Sequence, residues 1–243
     1  RLPRRPRRVA SGAAVKVAII GGGIGGLSAA LHLLREGIDV QVYEQAPRIS
    51  EIGAGIQLGP NVFKMFDYLD VIDEVSDWAV FPDNIIFRDA LSGEELLRVP
   101  TGEQIKQRFG YPYAVIHRAD LHDVLLEAAR TRLGDDAVQL DRRCTRIDQY
   151  GSGVTVHFDN AAPLAGKVAI GCDGIHSAVR RQLFPDEGPP KYSGVNMWRG
   201  AVHWPAFLGG DTMLSSGWMT VGKTVIYPVR PGTPETGGRP LIN

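Results

Sequence analysis

The sequence has 243 residues, 44% hydrophobic, 22% charged and 8% aromatic, a globular profile that excludes collagen, coiled coil and wholesale disorder. Lys plus Arg and Asp plus Glu each number 27, but Arg1, Arg4, Arg5, Arg7 and Arg8 crowd the start, so the rest carries 22 basic against 27 acidic groups. A mildly acidic body lacks the basic face that nucleic acid requires, and the apolar run VKVAII falls far short of the ~20 residues that span a bilayer.

Residues 1 to 14 read as a basic disordered leader, with Pro3 and Pro6 opposing regular structure. Residues 15 to 20 are apolar except for Lys16, as in a strand buried on both faces, and run into Gly21, Gly22, Gly23, Ile24, Gly25 and Gly26. Leu27, Ala30, Leu31 and Leu34 then fall at helical spacing, Gly37 stops the helix, and DVQVYE at 39 to 44 reads as a second strand. This is a βαβ unit. Pro60 opens a helix carrying Val62, Phe63, Phe66 and Leu69, and residues 85 to 99 read as a hairpin turning at Ser92 and Gly93. YAVIH ends at His117. Asp120 is expected to cap the next helix, whose apolar face is Leu121, Val124, Leu125 and Ala128. VTVHF at 154 to 158 alternates as a half-buried strand, and residues 168 to 170 return to a buried-strand pattern. From Tyr192 onward, residues 195 to 204, 212 to 220 and 222 to 229 suggest an appended antiparallel sheet.

Gly21-x-Gly23-x-x-Gly26 has the spacing of a dinucleotide fingerprint: Gly21 for the tight turn, Gly23 for close approach of a pyrophosphate, Gly26 for helix packed on strand. Phosphates would sit at the helix N-terminus, where unpaired amides and the macrodipole favour negative charge. Glu44, followed by Gln45, closes the second strand where an acid accepts both ribose hydroxyls. The fingerprint does not separate NAD from FAD. A second motif, GCDGIHSAVR at 171 to 180, places Asp173 and Gly174 after a strand and Ser177 at a helix start. Gly174 permits a sharp turn and Asp173 can hold backbone or ribose groups; the plain alternative is a strand-to-helix turn capped by Ser177. Cys144 and Cys172 are 28 apart with no CxxC spacing, and no signal peptide precedes them, so a reducing cytoplasm is expected. The spacing of His, Cys and carboxylates yields no metal site.

The Asp173 motif resembles that of the flavoprotein aromatic hydroxylases, the single-component FAD monooxygenases. EIGAGIQLGPN at 51 to 61, IIFRDALSGEELLRVP and PYAVIHRADLH resemble 3-hydroxybenzoate 6-hydroxylases, a group allied to the salicylate hydroxylases. DGIHSAVRRQLFPDE, MWRG at 197 to 200 and YPVR at 227 to 230 are closer to phenazine-carboxylate hydroxylases. The resemblance implies an α/β fold like that of p-hydroxybenzoate hydroxylase: a Rossmann-like FAD-binding domain over 15 to 80 and 113 to 190, with an incomplete mixed or antiparallel substrate-domain sheet over 81 to 112 and 191 to 243. It implies FAD as cofactor, NAD(P)H as co-substrate, O₂ and a small aromatic substrate as partners, and hydroxylation of a phenolic or heteroaromatic ring.

By the same resemblance Arg118 reaches FAD, the alternative being a surface pair with Asp120, and Cys144 makes a backbone contact to the flavin nucleotide. Gln57 sits beside the flavin ring, where an amide orients a phenol but cannot deprotonate it. Trp198 and Arg199 fall on a strand bordering the substrate, and Arg199 could clamp a carboxylate, against the plain reading of packing and solvent contact. None of the six His is assigned a catalytic role. The Gly-Asp and His segment that relatives carry further on is absent, and the sequence stops in an apolar strand at Pro240 to Asn243 that would be an open edge. An N-terminal portion of a longer enzyme is therefore expected, with a homodimer as the candidate assembly. The competing readings are a noncatalytic FAD-binding fragment and an NAD(P)-dependent dehydrogenase or reductase.

Overall fold

The computed structural model describes residues 15–48, 53–218 and 222–243. The basic leader, and Glu51 and Ile52 of the EIGAG run, lie outside the described residues. In chain order the elements are β1 (Val15–Ile20), α1 (Ile24–Arg35), β2 (Val40–Tyr43), β3 (Gly55–Leu58), α2 (Pro60–Tyr68), α3 (Ile72–Trp78), β4 (Asn84–Arg88) and β5 (Glu95–Pro100). There follow α4 (Glu103–Phe109), β6 (Ala114–His117), α5 (Arg118–Leu133), β7 (Val138–Gln139), β8 (Cys144–Tyr150), β9 (Gly153–Phe158), β10 (Leu164–Gly171) and α6 (Ala178–Leu183). Short strands close the chain: β11 (Val202–His203), β12 (Thr212–Trp218), β13 (Gly222–Ile226), β14 (Pro228–Arg230) and β15 (Leu241–Ile242). These elements form two compact units, the described part of Arg1–Ser50 with His122–Val195, and the described part of Glu51–Leu121 with Asn196–Asn243.

The first unit is built on a six-stranded sheet of order β7-β2-β1-β10-β9-β8. β1 pairs in parallel with β2 on one side and β10 on the other, while β9 and β8 continue antiparallel. Parallel neighbours need a crossover. α1 supplies it, burying Leu27, Ala30 and Leu31 at i, i+3 and i+4. Val17, Ala18, Ile19 and Ile20 are all buried, so β1 is covered on both faces, and each buried Val or Ile side chain contributes about 1.5–3 kcal/mol. The chain leaves β1 toward β2 and returns beside it as β10, so the strand order reverses at β1. Open α/β sheets bind ligands in the crevice at such a point, beyond the carboxyl ends of the strands.

In the second unit, a mixed sheet of order β13-β12-β4-β5 pairs β12 with β4 in parallel and its other neighbours antiparallel. A smaller sheet runs β11-β15-β14, and β3 pairs with β6. Val115, Met213, Tyr227, Val229 and Leu241 form its apolar cluster. The predicted helices at Pro60 and before Leu133, and the hairpin of β4 and β5, fold as the periodicity indicates.

Four local expectations are corrected. Residues 195 to 201 form no strand; pairing begins only at Val202, where β15 offers a partner, and Trp198 stands 94% exposed. The strand at the end of the sequence is not an open edge, because β15 lies between β11 and β14 and is buried. β10 is not enclosed: Val168 is 49% exposed, and its apolar run reflects pairing between β1 and β9 rather than cover on both faces. Finally, α5 starts at Arg118 and Asp120 lies inside its first turn. The Asp120 carboxylate accepts a two-pronged pair of hydrogen bonds from Arg230, 2.6 Å from Nε and 2.5 Å from Nη2, so it ties α5 to β14 instead of capping.

Asp120 is 6% exposed, and a buried carboxylate deprived of its cation is costly. Arg230→Met should therefore lower unfolding free energy by about 3 kcal/mol, read from urea melts at neutral pH. Adding Asp120→Asn should recover part of the loss. A single-variant loss near zero would contradict the pairing.

Candidate functional site

The carboxyl ends of β1 and β10 come together through backbone alone. Cys172 N–H donates to the Ile20 carbonyl at 2.7 Å, and Gly21 N–H to the Tyr43 carbonyl at 2.8 Å. Gly21 has φ +109°, and a Cβ on it would overlap the Cys172 carbonyl. A Cβ on Gly26 would overlap the Gly21 carbonyl. Two fingerprint glycines are thus required by close approach of chain to chain. Gly23 differs: it is the residue before α1, extended at φ −73° and ψ −179°, with no side-chain cap, and a Cβ there meets nothing within 4 Å. The outer side of the turn is bare backbone at a helix N-terminus, with no acidic residue in the first turn of α1. A diphosphate fits such a cradle. Ile24 begins α1 and Gly25 is exposed.

Glu44 follows β2 and is fixed against this turn. Its Oε2 accepts from Gly22 N–H at 2.7 Å and its Oε1 from Ala46 N–H at 2.9 Å. Each carboxylate oxygen keeps a further lone pair for a sugar hydroxyl. Gln45, beside it, is exposed.

After β10 the chain turns at Gly174, φ +74°. Asp173 holds the turn: Oδ1 accepts from the Ser177 hydroxyl, and Oδ2 accepts from Ala178 N–H at 2.7 Å and Val179 N–H at 3.3 Å. Ser177 Oγ in turn accepts from Arg180 N–H at 2.9 Å. The turn is thus capped by Ser177, as in the plain alternative, and Asp173 holds backbone groups within it. Burial and then the Asp173 charge push the thiols of Cys144 and Cys172 up from the usual cysteine range, so neither is a thiolate at neutral pH.

Arg118, Gln57 and Arg199 belong to the second unit. Arg118 opens α5 and its N–H donates to the Ala54 carbonyl at 3.1 Å, while Asp120 pairs with Arg230. Gln57 lies on β3 with Oε1 accepting from the Tyr113 hydroxyl at 2.8 Å. Burial, then neighbouring Tyr227, push the Tyr113 phenol up to about 12, so it remains a donor. Arg199 is exposed on irregular chain, its Nε 3.0 Å from Met197 Sδ. Its charge partly offsets the burial that raises the Tyr227 phenol.

Sequence reasoning passed over His122. It is 2% exposed, and its Nε2 lies 2.7 Å from the Gly22 carbonyl. Counting His as polar misplaces the buried stripe of α5, which runs through Leu121, His122, Leu125, Leu126 and Ala129 and not through Val124 and Ala128. Among the described residues, no group of three or more His, Cys, Asp or Glu could hold a metal ion, and no helix is long and apolar enough to cross a membrane.

Strand, glycine turn, helix and an acid closing the next strand make the first unit a dinucleotide-binding domain. Residues 14–199 match the family model described as FAD binding domain. The chain is 48% identical over 186 residues to 3-hydroxybenzoate 6-hydroxylase of Polaromonas naphthalenivorans (strain CJ2), covering 76% of this chain and 46% of the relative. It is 39% identical over 221 residues to the Klebsiella oxytoca protein of the same name, covering 90% and 55%. The solved structure of Klebsiella pneumoniae HpxO with FAD and uric acid superposes with TM-score 0.79 at 31% identity, covering 93% of this chain and 55% of that one. The chain therefore belongs to the flavoprotein aromatic hydroxylase family. It spans about half the length of the curated relatives it matches.

At pH 8 both thiols should react with iodoacetamide more slowly than a free cysteine, the rate still climbing above pH 9 because the thiolate forms late. Mass-spectrometric labelling of each cysteine checks this; fast labelling at pH 7 would contradict it.

Proposed function

We propose that this chain is the flavin-binding part of an FAD-dependent monooxygenase that uses NAD(P)H and O₂ to hydroxylate a phenolic or heteroaromatic carboxylate. The observation that carries the reading is the bare Gly23 turn at the head of α1, beside Glu44. When bound, FAD supplies the redox chemistry, taking a hydride from the nicotinamide and activating O₂.

The chain's own residues do the holding. Gly21 to Gly26 let the α1 amides and dipole stabilise the pyrophosphate. Glu44 accepts the ribose hydroxyls, and Gln45 lies alongside the same nucleotide. Asp173 and Gly174 keep the adjoining turn rigid, and Cys144 contributes its backbone. Arg118 is assigned to FAD as well, since a guanidinium suits a pyrophosphate or a flavin oxygen. Gln57, with its carbonyl oxygen engaged by Tyr113, has its amide hydrogens left to orient a phenol or phenolate and cannot take a proton itself. Arg199 is the candidate clamp for a substrate carboxylate. A cytoplasmic homodimer is the proposed setting. The names of the relatives point to hydroxybenzoates as the first substrates to try.

The visible spectrum of the chain with added FAD tests this directly. Bound-flavin bands, with oxidation of NADH or NADPH stimulated by 3-hydroxybenzoate, salicylate or phenazine-1-carboxylate and a hydroxylated product, are expected. A chain that ignores FAD would contradict it. Gly23→Ala should leave folding unharmed, or raise stability by about 0.5 kcal/mol, while FAD affinity falls about tenfold, because the added Cβ occupies only space claimed by the ligand.

A further inference from the structure

Gly22 is the unnamed position between the first two fingerprint glycines, yet both of its polar backbone groups are tied. Its N–H donates to Glu44. Its carbonyl lies 2.7 Å from Nε2 of His122, in the early turns of α5. A carbonyl only accepts, so Nε2 carries the hydrogen and donates it. The other ring nitrogen, Nδ1, is buried with no hydrogen-bond partner among the described residues. An apolar side chain would bury no such orphaned nitrogen, but it would leave the Gly22 carbonyl without its donor. The imidazole is therefore explained by what Nε2 does, not by packing.

The peptide joining Gly22 to Gly23 is trans, so the Gly22 carbonyl and the Gly23 N–H point in opposite directions. Drawing the carbonyl toward α5 turns the Gly23 amide the other way. Glycine on both sides of this peptide leaves its plane free to rotate unless something holds it. We infer that His122 is a positioning residue for the anion cradle: its Nε2–H locks the Gly22–Gly23 peptide so that the Gly23 amide is presented to a diphosphate. The identity of that diphosphate as FAD rests on the proposed function; the locking of the turn does not.

Three variants of the 243-residue chain separate reach from polarity. In His122→Gln the amide NH₂ extends to the place of Nε2, in His122→Asn it falls short, and His122→Leu removes the donor. Two readouts are taken: the FAD dissociation constant from flavin fluorescence, and ¹⁵N order parameters of Gly22 and Gly23 without ligand. The wild type and the Gln variant should keep rigid values of about 0.85 and affinities within about threefold of each other. The Asn and Leu variants should drop below about 0.6 at Gly23 and lose about tenfold in affinity, as for one lost hydrogen bond in an anion site.

The inference is overturned if the Asn variant keeps wild-type order, or if a folded Gln variant loses as much as Asn. If Asn and Leu fail to fold, the Gln variant alone decides: wild-type order and affinity uphold the inference, and a folded Gln variant with Gly23 order below about 0.6 and about tenfold weaker FAD binding overturns it. If the wild-type chain binds no FAD, the proposed function fails while the order parameters still judge the role of His122.

Discussion

The site in the first unit depends on one close approach, the Gly26 backbone lying against the Gly21 carbonyl while Gly21 itself touches the Cys172 carbonyl. Side chains at either position would force α1, β1 and β10 apart. With that contact made, the N-terminus of α1 sits over the point where strand order reverses, and its amides and dipole face outward uncapped. Glu44 can reach Gly22 only because β2 pairs in register with β1, Tyr43 opposite Ile20. The chemistry of the cradle follows from sheet register and from the absence of Cβ atoms more than from any reactive side chain.

The second unit solves a different problem. Three of its polar groups set among apolar ones are paired: Asp120 with Arg230, Tyr113 with Gln57, and the Tyr227 hydroxyl with the Gly55 carbonyl at 2.9 Å. Pairing lets these groups sit in a partly desolvated sheet without the penalty of unmet hydrogen bonds. It also fixes their orientation.

What was legible in the sequence was whatever periodicity or glycine spacing encodes. β1, α1 and β2 are bounded by an apolar run, a helical stripe and Gly37, and the structure places them accordingly. Partners distant in sequence were not legible. Asp120 looks like a cap until Arg230, 110 residues away, takes both of its oxygens. Trp198 and Arg199 look strand-borne because their composition is right, but composition supplies no neighbouring strand. His122 counts as polar in any helical wheel, and only the Gly22 carbonyl explains its burial. The signal that could have exposed it is its place directly after Leu121, in the same row of the helix as Leu126.

As proposed, the glycine turn and Glu44 hold a nucleotide, and the sharpest check is an FAD titration of the ¹⁵N-labelled chain followed by amide chemical shifts. The largest shifts are expected at Gly22, Gly23, Gly25 and Gly26 and around Glu44, saturating together. Shifts that leave these amides untouched while others move, or no saturable shifts at all, would contradict it.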